Sequence, residues 1–349
     1  MNDIGMIKAI PGCAIREDAS LLERTTFRVP ARAAILIDVH DAAALPKLAN
    51  FTMLQSGNTL ILGEGSNILF TRDWPGIVLS LRTRGINVVE DDGDKVLVRV
   101  AAGEHWNDLV HWSLDQSLVG LENLALIPGS VGAAPIQNIG AYGTEVGEFV
   151  YAVGAWDRAK SVQVRLNHDD LAFSYRDSLF KRESERYLIT SVEFLLPRRR
   201  ELRLDYAGIH EELAAMGVTR ADARTVAQAV TRLRMRRLPD PATTGNAGSF
   251  FKNPIVTNAK AQVLKRENSA LPIWPVSNDH AKVSAAWLIE SCNFKGLREG
   301  YTGVSSKHSL VLINHGQASG AQIWALAERI RDTVKHRFDV QLEPEPVVI

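Results

Sequence analysis

The sequence predicts a mixed helix-and-strand protein, α/β or α+β, with two or three domains in its 349 residues. Three observations carry this expectation. Short apolar segments with strand patterning alternate with helical patterns through roughly the first 200 residues. The stretch Leu238-Pro239-Asp240-Pro241 then stops a helix, and a loop rich in Gly and Asn follows it. The composition, 46% apolar and 23% charged, suits a chain that buries a core rather than one that stays disordered. At this length about three quarters of the unfolded surface can be buried, so no disulfide or structural metal is needed.

The elements follow in order. Ala34 to Val39 reads as a strand, and Asp41 as the cap of a helix running toward Phe51 despite Pro46. Thr59 to Leu62 is a strand entering a glycine turn. Val96 to Val100 alternates apolar with polar or charged residues, as a half-buried strand does. From Glu104 to Asp115, helical spacing places Trp106, Leu109, Val110 and Leu114 on one face. Tyr187 to Leu196 is a further strand. A helix covers about Ala221 to Met235, flanked by arginine runs at Arg198-Arg199-Arg200 and Arg232 to Arg237. A helix at Ala281 to Ser291, a strand at Ser309 to Ile313 and an amphipathic helix from Ser319 to Arg337 come next. The tail, Val340 to Ile349, is extended and carries Glu343 and Glu345.

Composition excludes several classes. Lys plus Arg equal Asp plus Glu at 40 each, so the basic excess of a general nucleic-acid binder is missing. Two cysteines, Cys13 and Cys292, make no disulfide framework and fit a reducing compartment. The start, MNDIGMIKAIPGC, has no apolar run of about 7–15 residues, and Pro11 argues against a lipoprotein site at Gly12-Cys13. The uncharged stretch Asn123 to Thr144 holds two prolines and four glycines, which rules out a membrane span. A cytoplasmic protein without membrane insertion is expected. Nine histidines show no His-x-His or His-Glu-x-x-His spacing, so no metal site is expected.

Two glycine loops carry the first chemical signal. Leu62-Gly63-Glu64-Gly65-Ser66-Asn67 follows a strand, and closely spaced glycines let backbone N–H groups approach an anion. It is not a dinucleotide fingerprint, because Ile68 stands where a third glycine belongs, and it is not a P-loop. The second loop runs from Gly120 through Pro128-Gly129-Ser130-Val131-Gly132-Ala133 to Asn138, Gly140, Ala141, Tyr142 and Gly143. Its neutral, glycine-rich surface suits a pyrophosphate and a flat ring.

Together these loops resemble the flavin-binding part of the UDP-N-acetylenolpyruvoylglucosamine reductase family, tyrosine-loop type. That family shares an FAD fold with vanillyl-alcohol oxidase and p-cresol methylhydroxylase. The resemblance continues in Thr26-Phe27-Arg28-Val29, in Tyr175-Arg176-Asp177-Ser178-Leu179-Phe180-Lys181 and in Gly245-Asn246-Ala247-Gly248-Ser249-Phe250-Phe251-Lys252-Asn253-Pro254. Ala286-Trp287-Leu288-Ile289-Glu290, His308 to Asn314 and Leu342-Glu343-Pro344-Glu345 complete it, so it covers nearly the whole chain.

The resemblance implies an α+β fold of three parts: two FAD-binding lobes (residues 1–83 and 84–237) and an α+β substrate-binding domain (residues 238–337). The tail (residues 338–349) would return to the flavin cleft. It implies FAD as cofactor, NADPH as co-substrate, and reduction of the enolpyruvyl group of UDP-N-acetylglucosamine enolpyruvate to UDP-N-acetylmuramate, a peptidoglycan precursor. Hydride would pass from flavin N5 to the β-carbon, with a proton from Ser249 to the α-carbon. A monomer is expected. FAD would rest on Gly63, Glu64, Gly65, Ser66, Asn67, Pro128, Gly129, Ser130, Gly132, Ala133, Asn138, Gly140 and Ala141, with its N5 edge toward Ser249.

Arg176, Ser249 and Glu345 are the implied catalytic residues. A guanidinium meets a carboxylate through two hydrogen bonds and stays charged; the bland alternatives are an ion pair of Arg176 with Asp177 and a helix-end arginine. A protonated Glu345 could donate to a developing enolate, and the bland alternative is a solvated tail residue. Ser249 could deliver the proton, or be a turn serine bonded to its own backbone. Tyr142, Tyr206, Arg237, Lys252 and Asn253 are the implied substrate contacts, with Arg237 standing where relatives often have Lys. Trp287 and Cys292 read as core, and Arg198 to Arg200 as a solvated face. The competing readings are an FAD-dependent alcohol or phenol oxidase on the same fold and a non-catalytic UDP-sugar binder. Neither has a use for Arg176, Ser249 and Glu345 together.

Overall fold

The structure, a computed structural model, describes residues 3–51, 54 and 58–349. The chain forms two compact units. One comprises Met1–Ala19, Ala33–Glu64 and Pro75–Arg234; the other comprises Ser20–Arg32, Gly65–Trp74 and Met235–Ile349.

The first unit holds two sheets. One has the order Cys13–Ser20, Arg32–Val39, Trp74–Leu81, Thr59–Ile61, its last pair parallel. The other is antiparallel, in the order Val162–Asn167, Val150–Asp157, Tyr187–Pro197, Lys95–Ala101, Ile86–Asp91. Alternation decides which face is buried: Val96, Val98 and Val100 point inward while Lys95 and Arg99 face solvent. The helix Trp106–Asp115 closes this core with the predicted residues Trp106, Leu109, Val110 and Leu114. Trp106 packs edge-on against Phe194 at 6.1 Å and donates its Nε1–H to the Leu124 carbonyl, so its one polar atom is satisfied.

The second unit has two three-stranded sheets: Ile255–Thr257, His280–Val283, Ile273–Pro275, and Arg298–Glu299, Thr302–Val304, Leu312–Asn314. A parallel pair, Ile68–Leu69 with Val347–Val348, belongs to the same unit. Its long helix, Gly320–Phe338, begins in a capping box of Ser319 and Gln322. The helix ends at Asp339 in the left-handed conformation, whose carboxylate takes Lys335 and Lys260. Among the described residues no helix is long and apolar enough to cross a membrane.

Four local expectations need correction. The helix expected after Asp41 is a single 3₁₀ turn, Ala42–Ala44, followed by Leu45–Leu48; Asp41 does cap the turn by accepting from the Ala43 N–H. The helix expected from Ala281 starts at Ala285, because His280–Val283 pairs as a strand and Ser284 is the cap. The strand expected at Ser309 to Ile313 lies at Leu312–Asn314. His308 folds the preceding residues into a turn by accepting from the Leu310 N–H on Nδ1 and the Val311 N–H on its carbonyl. The arginines at 198–200 are not simply solvated: Arg198 pairs with Asp91 and Arg200 with Glu148, leaving only Arg199 exposed.

On the five-stranded sheet, Glu193 is clamped between Arg99 at 2.8 Å and Arg165 at 2.6 Å, with only 4% of its side chain exposed. Burial alone would raise its carboxyl, but the hydrogen bonds from Arg165 and Arg99 outweigh that and hold it below the usual range. A depressed folded value contributes stability above the unfolded value of about 4.3, lost as pH falls through the folded value. Urea unfolding should show Glu193→Gln less stable than the parent at pH 7. The gap should begin to narrow below about pH 4, as the unfolded carboxyl takes up its proton, and close as pH falls through the lower folded value.

Candidate active site

In the first unit the two predicted glycine loops meet. A Cβ added to Gly63 would stand 2.7 Å from Ser130 Oγ, and one added to Gly132 would stand 2.6 Å from the Ala102 Cβ. Gly132 N–H donates to the Ala102 carbonyl, Val131 N–H to Glu104 and Trp106 N–H to Gly129. The Gly129 N–H points at the Glu64 carboxylate, 3.2 Å away, and Glu64 also contacts His105 Nδ1. Arg84 reaches the other ring nitrogen of His105 at 2.8 Å. One loop amide is therefore already engaged by an anion.

The same unit carries Arg176 at the tip of a tight turn closed by reciprocal hydrogen bonds between Ser174 and Asp177. Arg176 has φ +56, and its guanidinium donates to the Gly140 carbonyl at 2.8 Å. The Asp177 carboxylate is taken by Arg182. Asn138 is buried and fully engaged, donating to Glu145 and the Ser174 carbonyl and accepting from the Gly147 N–H. Its amide holds the arginine turn.

Gly140–Ala141 and Thr144–Glu145 form a small hairpin. Its two central residues, Tyr142 and Gly143, have φ +49 and +80, the pattern of a type I′ turn. Tyr142 thereby meets Tyr206 edge-on at 5.0 Å, which unites two predicted substrate contacts. Tyr142 is buried and Tyr206 exposed.

The second unit joins Ser249 and Glu345. Gly248, at φ +69, donates its N–H to the buried Asn246 side chain, and Phe250 N–H is anchored on Leu310. The Ser249 hydroxyl between them has no hydrogen-bond partner among the described residues, unlike a serine that closes its own turn. Glu345 N–H donates to the Phe250 carbonyl at 2.8 Å, and Phe251 bridges to Pro344. The tail residue is thus docked one peptide from Ser249. Lys252 reaches Glu343 at 3.3 Å, and Asn253 Oδ1 accepts from the Ala285 N–H. Arg237 is exposed, with no ion-pair partner among the described residues. His308 is held below its ordinary value first by burial, then by the charges of Arg237 and Lys295. In this unit Ser66 is half-buried, and Gly65 accepts from Thr26 N–H.

Comparison with known proteins assigns the chain. A family model described as "UDP-N-acetylenolpyruvoylglucosamine reductase, C-terminal domain" matches residues 240–349, and one described as "FAD binding domain" matches residues 33–166. The reductase of that name from Xanthomonas euvesicatoria pv. vesicatoria is 50% identical over 339 residues, 97% of each chain. That from Xanthomonas oryzae pv. oryzae is 51% identical over 341 residues, again 97% of each. The chain belongs to the UDP-N-acetylenolpyruvoylglucosamine reductase family. The crystal structure of the Thermus caldophilus reductase overlays with a TM-score of 0.66 at 23% identity, covering 96% of this chain and 98% of that one, and so shares its fold.

Family membership brings the α+β architecture and an FAD-binding domain, and the residues fit that group. The loop glycines allow close backbone approach, and the Gly129 N–H already holds a carboxylate. Among the described residues no group of three or more His, Cys, Asp or Glu is placed to hold a metal.

Reading the sequence missed Arg234. It donates through Nε to the Leu126 carbonyl. Burial holds its guanidinium below the usual arginine range; the nearby Tyr142 opposes this and Arg176 adds to it. The signal was available: Arg234 lies four residues after the buried Val230 and seven after Ala227, on the apolar stripe of Ala223–Arg237. It was submerged in a run of arginines. Glu64's partner His105 was missed for a different reason, since 41 residues separate them.

Asn138→Ala leaves the Gly147 N–H without its partner and removes one of the two hydrogen bonds on the Ser174 carbonyl. It should cost about 2–3 kcal/mol in urea unfolding, from the net worth of the lost hydrogen bonds and the desolvated groups left behind.

Proposed function

We propose that this chain catalyses the reaction its family is named for. An FAD-dependent enzyme would use NADPH to reduce the enolpyruvyl ether of UDP-N-acetylglucosamine enolpyruvate, giving UDP-N-acetylmuramate in the cytoplasm for peptidoglycan synthesis. The observation that carries the reading is the docking of Glu345 beside a serine whose hydroxyl is not used by the protein.

The cofactor would be held by Gly63, Glu64, Gly65, Ser66 and Asn67 and by Pro128, Gly129, Ser130, Gly132 and Ala133, with Asn138, Gly140 and Ala141 shaping the wall. Bound FAD would supply hydride transfer, from NADPH to the β-carbon of the enol ether.

The protein must then manage the charge that develops on the α-carbon and its carboxylate. Arg176, not neutralised by Asp177, suits that carboxylate as a permanently cationic two-point donor. Glu345 in its protonated form donates a hydrogen bond to the same developing charge. Ser249 gives its hydroxyl proton to the α-carbon and recovers one from solvent, so one hydride and one proton add across the double bond. Gly248 and the walls of Phe250 and Phe251 fix the serine, which matters because a hydroxyl is a weak acid. Tyr142 and Tyr206 would cover the substrate, and Arg237, Lys252 and Asn253 would meet its phosphates.

Stopped-flow absorbance without oxygen tests this. NADPH should bleach the oxidised flavin band, and the enolpyruvyl substrate, but not plain UDP-N-acetylglucosamine, should restore it. Ser249→Ala should slow the restoration about 10²–10⁴-fold, the range for a positioned proton donor. Bleaching with no restoration in the parent would remove the acceptor and the three catalytic roles together.

A further inference from the structure

We infer that Asn67 is a positioning residue for Glu345: the loop Gly65–Asn67 clamps the tail that presents this carboxylate. The inference rests on the role proposed above for Glu345.

The contacts all lie within the second unit. Asn67 Nδ2 donates to the Glu345 carbonyl at 3.3 Å, across 278 residues of sequence. The Val347 N–H returns to the Asn67 carbonyl at 3.0 Å. The pairing then continues: Val347–Val348 lie parallel to Ile68–Leu69, Ile349 N–H donates to Leu69, and Thr71 donates from N–H and hydroxyl to the Ile349 carbonyl. Upstream, the tail leans on the serine segment instead. Lys252 N–H donates to the Glu343 carbonyl, and Glu345 N–H to the Phe250 carbonyl.

Glu345 is therefore the residue at which the tail changes neighbours. Its N–H belongs to the Phe250 carbonyl and its carbonyl to Asn67. Pro344 and Pro346 stand on either side, with φ fixed and no N–H to satisfy. With its backbone held at both ends between two prolines, Glu345 keeps only its side-chain torsions. The loop is itself a firm base, since Thr26 N–H donates to the Gly65 carbonyl at 3.1 Å. Without the Asn67 donor, the Glu345 carbonyl loses its hold on the loop, and the tail segment that presents the carboxylate loosens.

Two variants separate the clamp from other roles of the loop. Asn67→Asp keeps the side-chain shape and removes the donor. Val347→Pro removes the N–H that meets the Asn67 carbonyl and alters no atom of the loop. Amide hydrogen exchange on the full-length protein should show Glu345 and Ile349 exchanging up to about tenfold faster in both, the net worth of one hydrogen bond. The helix Gly320–Phe338 should keep its protection, which excludes global unfolding. In stopped flow, restoration of the flavin band by the enolpyruvyl substrate should slow about tenfold or more in both variants, while bleaching of Val347→Pro by NADPH stays at the parent rate. Unchanged tail exchange overturns the clamp. Loss of flavin from Asn67→Asp with an unchanged tail overturns it too and leaves Asn67 a cofactor ligand only. A looser tail with full-speed restoration shows that the clamp does not position Glu345, which also overturns the inference. If the parent never restores its band, the functional reading fails, and the exchange measurement still decides whether Asn67 holds the tail.

Discussion

Loop backbone taken out of water must find hydrogen-bond partners, and most of this site is loop. Helices and strands satisfy their own peptide groups; the long glycine-rich segment around Pro128 and the turn around Ser249 cannot. Asparagine side chains supply the missing partners. Asn107 accepts from Leu126 N–H, and Asn123 donates to the carbonyls of Tyr142 and Arg203. Asn138 holds the Arg176 turn. Asn246 donates to Pro239 and Thr244 while accepting from Gly248. Asn314 donates to Phe27 and Arg28 and accepts from Gly316 and Ala318. A short amide with both donors and acceptors can close a turn that repeats no pattern.

The charged groups obey a related rule. Several acids of the first unit are already matched: Asp177 with Arg182, Glu148 with Arg200 and Arg203, Glu193 with Arg99 and Arg165. Other arginines meet neutral oxygen or water instead. Arg176 bonds a carbonyl, Arg234 bonds a carbonyl, and Arg237 stands in solvent.

Much of this was legible in the sequence. Alternating valines gave the strand Lys95–Ala101, and helical spacing gave the Trp106 face and the last helix. The glycine loops were visible as well, because a backbone that must approach its neighbour closely admits little else. What stayed hidden was pairing at long range. Nothing local says that Asp177 chooses Arg182 over its adjacent arginine, that Glu64 faces His105, or that Asn67 reaches Glu345. The misplaced strand near Ser309 has the same origin: an apolar run fits strand or turn equally, and His308 decides by folding back on its own chain. Arg234 was hidden by its neighbours, since a run of like residues masks the one member that points inward.

The alternate prolines of the tail have another consequence. A strand offers itself to foreign chains through its row of unused N–H groups, which is how folded proteins join edge to edge into aggregates. In the tail the N–H groups of Glu345 and Val347 are engaged, and positions 344 and 346 have none to offer. The segment can be held by its own unit and yet cannot recruit a stranger. The docked tail is therefore a poor template for misassembly, because its remaining edge has no N–H groups at positions 344 and 346 to offer another copy.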